Sequence, residues 1–86
     1  MTPAMKLKVF IKPGCPWCVE AVAWLKREGY AFEEIDVLAD AAAFEEMIRI
    51  SGQPLAPTMI AGDDLVLADF GVPELEAFLE EHEIHP

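Results

Sequence analysis

Strand-like and helix-like patterns take turns along this 86-residue chain. That alternation limits the fold more than any single residue does. Residues 6–11, KLKVFI, alternate and then turn apolar, as a strand entering a sheet does. KPGCP follows as a Pro/Gly loop. From Trp17, WCVEAVAWLKRE places apolar residues at helical spacing, and Gly29 is a natural stop. Residues 30–37, YAFEEIDV, read as a second strand. Asp40 suits the cap of a helix through AAAFEEMIRIS, stopped at Gly52. PTMIA, residues 57–61, is a third strand. GDD is a turn, and LVLAD a fourth strand. VPELEAFLEEHEI closes the chain as a helix with Pro73 in its first turn, and EIHP is expected to fray.

The resulting order is β-α-β-α-β-β-α, which predicts an α/β domain with a central sheet covered by helices. The first two strands, joined by a helix, should run parallel with a right-handed crossover. The last two, joined by a tight turn, should be antiparallel. The length allows one domain, residues 1–86, with an ordered core of about 6–82. Trp24, Phe32, Phe44, Met47, Ile48, Phe78 and Leu79 fall at core spacing. Phe70 belongs either in the core or at the rim of a site.

Sixteen acids against six bases give a net charge of -10. A phosphate-binding face needs bases, so nucleic acid is a poor partner. The charge is uneven: residues 1–30 carry +3 and residues 31–86 carry -13. No run of about 18 apolar residues exists to span a membrane. The N-terminus lacks the charged and apolar regions of a signal peptide. The expectation is a cytoplasmic monomer.

Both cysteines, Cys15 and Cys18, lie in the basic third, as C-P-W-C. They could exchange electrons, hold a metal or staple the chain. The ring they would close is small, so a bridge there gains little by chain entropy. A zinc site normally needs four protein ligands. His82 and His85 are the other candidates, and they sit at the far end in a solvated segment. A C-x-x-C after a strand and opening a helix is the setting of a thioredoxin-like redox motif. There Cys15 would face the unpaired N–H groups and positive dipole end of the helix, which favour a thiolate. Lys12 and Lys8 could add to that. Cys18, one turn inside, should be less exposed and keep a higher pKa. The pair then reads as a nucleophile and its resolving partner. Pro16 suits the first helical position and stiffens the loop.

KPGCPWC followed by a helix, then EEIDV and LAPTMIAGDD, resembles the glutaredoxins over nearly the whole chain. The resemblance implies a thioredoxin-like fold with a four-stranded mixed sheet and three helices. It implies a dithiol thiol–disulfide oxidoreductase with Cys15 and Cys18 catalytic, no tightly bound cofactor, no metal, and glutathione as co-substrate. It further implies that Pro57 is a cis-proline facing the cysteines, with Ala56 and Leu55 matching the Val and Thr of the family's Thr-Val-Pro segment. Ala56 would offer its backbone to the substrate as an added strand does. Lys12 and Gln53 match positions that bind a glutathione carboxylate, and Trp17 stands where the family most often has Tyr. The chain departs from the family after the fourth strand. A Gly-Gly pair is missing there, and Asp69 is the nearest acid for the γ-glutamyl end. DFGVPEL looks more like the redoxins that take electrons from thioredoxin reductase and pass them to ribonucleotide reductase. An iron–sulfur or metal carrier is the alternative from another class.

Overall fold

The computed structural model describes residues 6–86. The leader reading rests on a segment that includes residues 1–5, and those five lie outside the described residues. Seven elements follow the expected order: β1 (Leu7–Ile11), α1 (Pro16–Arg27), β2 (Glu33–Asp36), α2 (Ala41–Ser51), β3 (Thr58–Ala61), β4 (Leu65–Ala68) and α3 (Val72–Glu81). The sheet order is β2-β1-β3-β4. β1 and β2 are parallel, with Val9 opposite Glu34. β1 and β3, and β3 and β4, are antiparallel. This is the thioredoxin-like arrangement that the resemblance implied.

Alternation along β1 divides the core between the two sheet faces. Leu7 and Val9 face α1 and α3, where Ala21, Leu25, Leu75, Phe78 and Leu79 bury with them. Phe10 faces the other way and packs with Val37 and Met47 of the α2 side. β1 contributes buried residues to both faces, and the cysteine loop leaves from its end. No helix among the described residues is long and apolar enough to cross a membrane.

The helix ends explain themselves locally. The Asp40 carboxylate accepts from the N–H groups of Ala42 and Ala43, satisfying two of the donors α2 leaves unpaired. Gly52, at φ +71°, closes α2 in the left-handed region. α3 begins with Pro73 in its first turn, while the Glu74 carboxylate accepts the Gly71 N–H.

Four expectations are corrected. The second strand is only Glu33–Asp36. Tyr30 instead finishes α1, its N–H donating to Leu25 O while Gly29 N–H donates to Lys26 O. The closing helix stops at Glu81, not at Ile84. Ile84 does not fray: it is buried, and its N–H donates to Leu79 O as Glu83 N–H donates to Glu80 O. Both helices thus end in a Schellman pattern, which turns the next apolar residue back onto the core. Ile48 is exposed rather than buried, lying on the outer face of α2. Trp24, Phe32 and Phe44 pack against the core while remaining partly exposed; Met47, Phe78 and Leu79 are buried as expected.

Candidate active site

Two loops meet at the end of β1. The first carries the cysteines. Cys15 caps α1 in extended conformation, with Pro16 in the first helical turn. Its sulfur accepts the Cys18 N–H at 3.2 Å. A backbone donor of the first helical turn is therefore spent on sulfur, as the capping geometry requires. Cys18, one turn along, is 2% exposed. Burial, then its hydrogen bond with Cys15, pushes the Cys18 thiol up to about 11, although the Lys12 backbone N–H pulls the other way. Both thiols are free, so this is the reduced state. The two sulfurs have the unequal surroundings that their positions predicted.

The second loop joins α2 to β3. The Ala56–Pro57 bond is cis, as the resemblance implied. Pro57 is buried, and its carbonyl accepts from Phe70 N–H at 3.4 Å. The Ala56 carbonyl lies 3.9 Å from Cys15 Sγ. So the structure brings Cys15, Ala56 and Pro57 together. Trp17 in the first turn of α1 (53% exposed) and Leu55 in the second loop (50%) are exposed apolar side chains.

Lys12 reaches the second loop as well. Its Nζ donates to Pro54 O at 3.0 Å and sits 5.4 Å from the centre of the Phe44 ring. An ammonium has three donors, so two remain for a ligand. Gln53 is placed differently. Its Nε2 donates to Ser51 Oγ and to Thr58 Oγ1, both at 2.9 Å, and its Oε1 accepts the Leu55 N–H at 2.7 Å. Both amide hydrogens are thus used inside the loop. Lys8 stands apart from the thiols, lining a cleft on the α2 side with Lys6, Glu46 and Asp63. Phe70 belongs to the core. Asp69 is exposed at φ +51°, in the turn that the Phe70–Pro57 bond ties to the cis-proline.

Behind the cysteine loop, a groove of about 450 Å³ runs between α1 and β2, lined by Cys18, Val19, Val22 and Glu34 among others. Its lining includes Cys18 and not Cys15. Among the described residues, no group of three His, Cys, Asp or Glu side chains is gathered for a metal. Sequence reasoning missed Thr58, the one polar side chain buried among the described residues. The signal was available: a hydroxyl inside an apolar strand must find a partner.

The family model of the glutaredoxins matches residues 7–66. The chain belongs to the glutaredoxin family. It is 37% identical over 51 residues to glutaredoxin 3 of Escherichia coli K12, a match covering 59% of this chain and 61% of that one. The chain thus spans less than two thirds of that relative. The crystal structure of the thioredoxin-like protein BC3987 superposes with a TM-score of 0.75 at 34% identity, covering 85% of this chain and 99% of that one. The glutaredoxin-like NrdH-redoxin of E. coli, described as having a thioredoxin-like activity profile, gives 0.70 at 26% identity, covering 95% and 97%.

Proposed function

We propose that this glutaredoxin is a dithiol thiol–disulfide oxidoreductase of a reducing, cytoplasmic compartment. One observation carries the reading. Cys15 sulfur sits at a helix start facing the Cys18 N–H and the Ala56 carbonyl, while Cys18 is buried and stays protonated. Cys15 thiolate attacks one sulfur of a disulfide R–S–S–R′. The new bond is Cys15–S–S–R, and R′–S⁻ leaves and takes a proton. Cys18 then gives up its proton and attacks Cys15 sulfur, expelling R–S⁻ and leaving the Cys15–Cys18 disulfide. Two electrons pass from the dithiol to the substrate. Glutathione or a reductase dithiol returns them.

Glutathione mixed disulfides and protein disulfides are the proposed substrates. Lys12 has two donors free for a carboxylate, and Asp69 lies in the turn beside the cis-proline. Trp17, Pro16 and Ala56 shape the groove. A second reading, a redoxin fed by thioredoxin reductase, is supported by the DFGVPEL turn and by the likeness to NrdH-redoxin over nearly the whole chain.

The test offers oxidised protein either glutathione with glutathione reductase, or thioredoxin reductase, each with NADPH. Turnover in the first system supports the glutathione-dependent reading, and turnover only in the second supports the redoxin. Cys15→Ser is expected to abolish both, and Cys18→Ser to keep some deglutathionylation. Full activity in Cys15→Ser would end the proposal.

A further inference from the structure

The loop before the cis-proline is held by a closed ring of hydrogen bonds. Leu55 N–H donates to Gln53 Oε1 at 2.7 Å, and Gln53 Nε2 donates to Thr58 Oγ1 at 2.9 Å. Thr58 Oγ1 in turn donates to Leu55 O at 2.7 Å. Two side chains therefore take both backbone groups of one residue, as a neighbouring strand would. The ring has an anchor on each side. Gln53 Nε2 also reaches Ser51 Oγ at the end of α2, and Thr58 pairs with Phe10 of β1. Thr58 and Phe10 share the sheet face covered by α2, which is why a residue just past α2 can reach that hydroxyl.

The consequence falls on the next residue. The single Leu55 N–H is spent on Gln53, and the Leu55 carbonyl is already engaged by Thr58. Ala56 differs: among the described residues its N–H has no partner, and its carbonyl touches only the Cys15 thiol. Backbone pairing in an added strand alternates along the chain, so which residue is satisfied internally fixes which one is presented. We infer that Gln53 and Thr58 are positioning residues, whose hydrogen-bond ring with Leu55 reserves the Ala56 backbone for a polypeptide disulfide at Cys15. The inference rests on the reading of Cys15 as the nucleophile. It also reassigns Gln53 from holding a carboxylate to setting the loop.

The test compares two disulfides in stopped flow with fully reduced protein. One is a symmetrical disulfide of two five-residue peptides. The other is 2,2′-dithiodipyridine, which has no peptide group. Thr58→Val keeps the shape and removes the hydroxyl. It should lower the peptide rate constant about tenfold, roughly the worth of one lost hydrogen bond, and leave the dithiodipyridine rate within about twofold. Thr58→Ser should restore the peptide rate. An equal fall with both disulfides, or no fall with the peptide, overturns the inference. Failure of the unaltered protein to react with either reagent would instead sink the reading of Cys15.

A second measurement needs no change at Thr58. In Cys18→Ser protein, amide hydrogen exchange should be slow at Leu55 and fast at Ala56, and Ala56 should slow when the peptide is trapped on Cys15. A protected Ala56 amide in the free protein, or an Ala56 amide unchanged by the trapped peptide, overturns the inference on its own.

Discussion

The Cys18 backbone N–H points at Cys15 Sγ from 3.2 Å, so the residue that ends the exchange also supports the sulfur that begins it. Burial and position at the helix start separate the two roles. Cys18 is 2% exposed, and its thiol is pushed up to about 11 by that burial and then by its bond with Cys15. Resolution therefore waits on deprotonation of Cys18. With a thionitrobenzoate mixed disulfide preformed on Cys15, burial of Cys18 remains although its bond to the Cys15 thiol is gone, so release should keep quickening with pH past 8, following the thiolate fraction. A plateau by pH 8 would show that Cys18 is not so raised.

The same shift appears in stability. The unfolded chain releases the Cys18 proton near 9.0, whereas the folded protein keeps it to about 11. Stability from this group is complete below pH 9 and drains away as pH rises toward 11. Tyr30, raised first by burial and then by Glu28, acts in the same direction from its usual 10.0 upward. Urea titrations of the reduced protein should show the fall. Cys18→Ala should flatten it between pH 9 and 10 while leaving the Tyr30 part above. An unchanged slope in that variant would refute the assignment.

A further prediction concerns the two helix ends. Tyr30 and Ile84 each follow a Schellman turn, and the Tyr30 hydroxyl donates to the Ile84 carbonyl at 3.2 Å while its ring stacks on Trp24. Tyr30→Phe keeps the stacking and deletes the bond, so it should cost about 1 kcal/mol. For a domain this size that is a fall of about 4–8 °C in Tm. No change by calorimetry would mean the hydroxyl gains nothing over water.

Such features mark where sequence reading stops. The order of elements was legible because period-2 and period-3.6 patterns are written into apolar spacing, and Asp40, Gly29 and Gly52 punctuate them. Cys15 and Cys18 were legible because their spacing and setting carry the chemistry. Ile84 was not, because the left-handed turn before it is made by Glu83 rather than glycine, which leaves no stop signal. The Gln53 ring was not, because hydrogen bonds among loop side chains follow no period. Ile48 sits one position past Met47, and the helical count alone did not say which of the two faced inward.

Glu83 itself is open to improvement. At φ +54° it stands where a side chain crowds its own backbone, a cost of roughly 1 kcal/mol that glycine avoids. Glu83→Gly should raise Tm by a few degrees even after the larger entropy of the unfolded chain is counted. A lower Tm would indicate that the Glu83 side chain contributes more than its conformation costs.

Lys12 serves two masters. Its bond to Pro54 O steadies the cis-proline loop, and its two remaining donors face whatever anion enters. Lys12→Met should therefore slow reaction with any peptide disulfide somewhat, and reaction with a glutathione mixed disulfide more, because only the latter brings carboxylates. The extra loss should be about tenfold at low ionic strength and shrink toward the common loss in 0.5 M salt, where the Debye length falls to roughly 4 Å. Rates for glutathionylated and for uncharged amidated peptides, measured at both salt concentrations, separate the two effects. Equal losses for both peptides at low salt would leave Lys12 a loop brace alone and favour the redoxin over the glutathione-dependent reading.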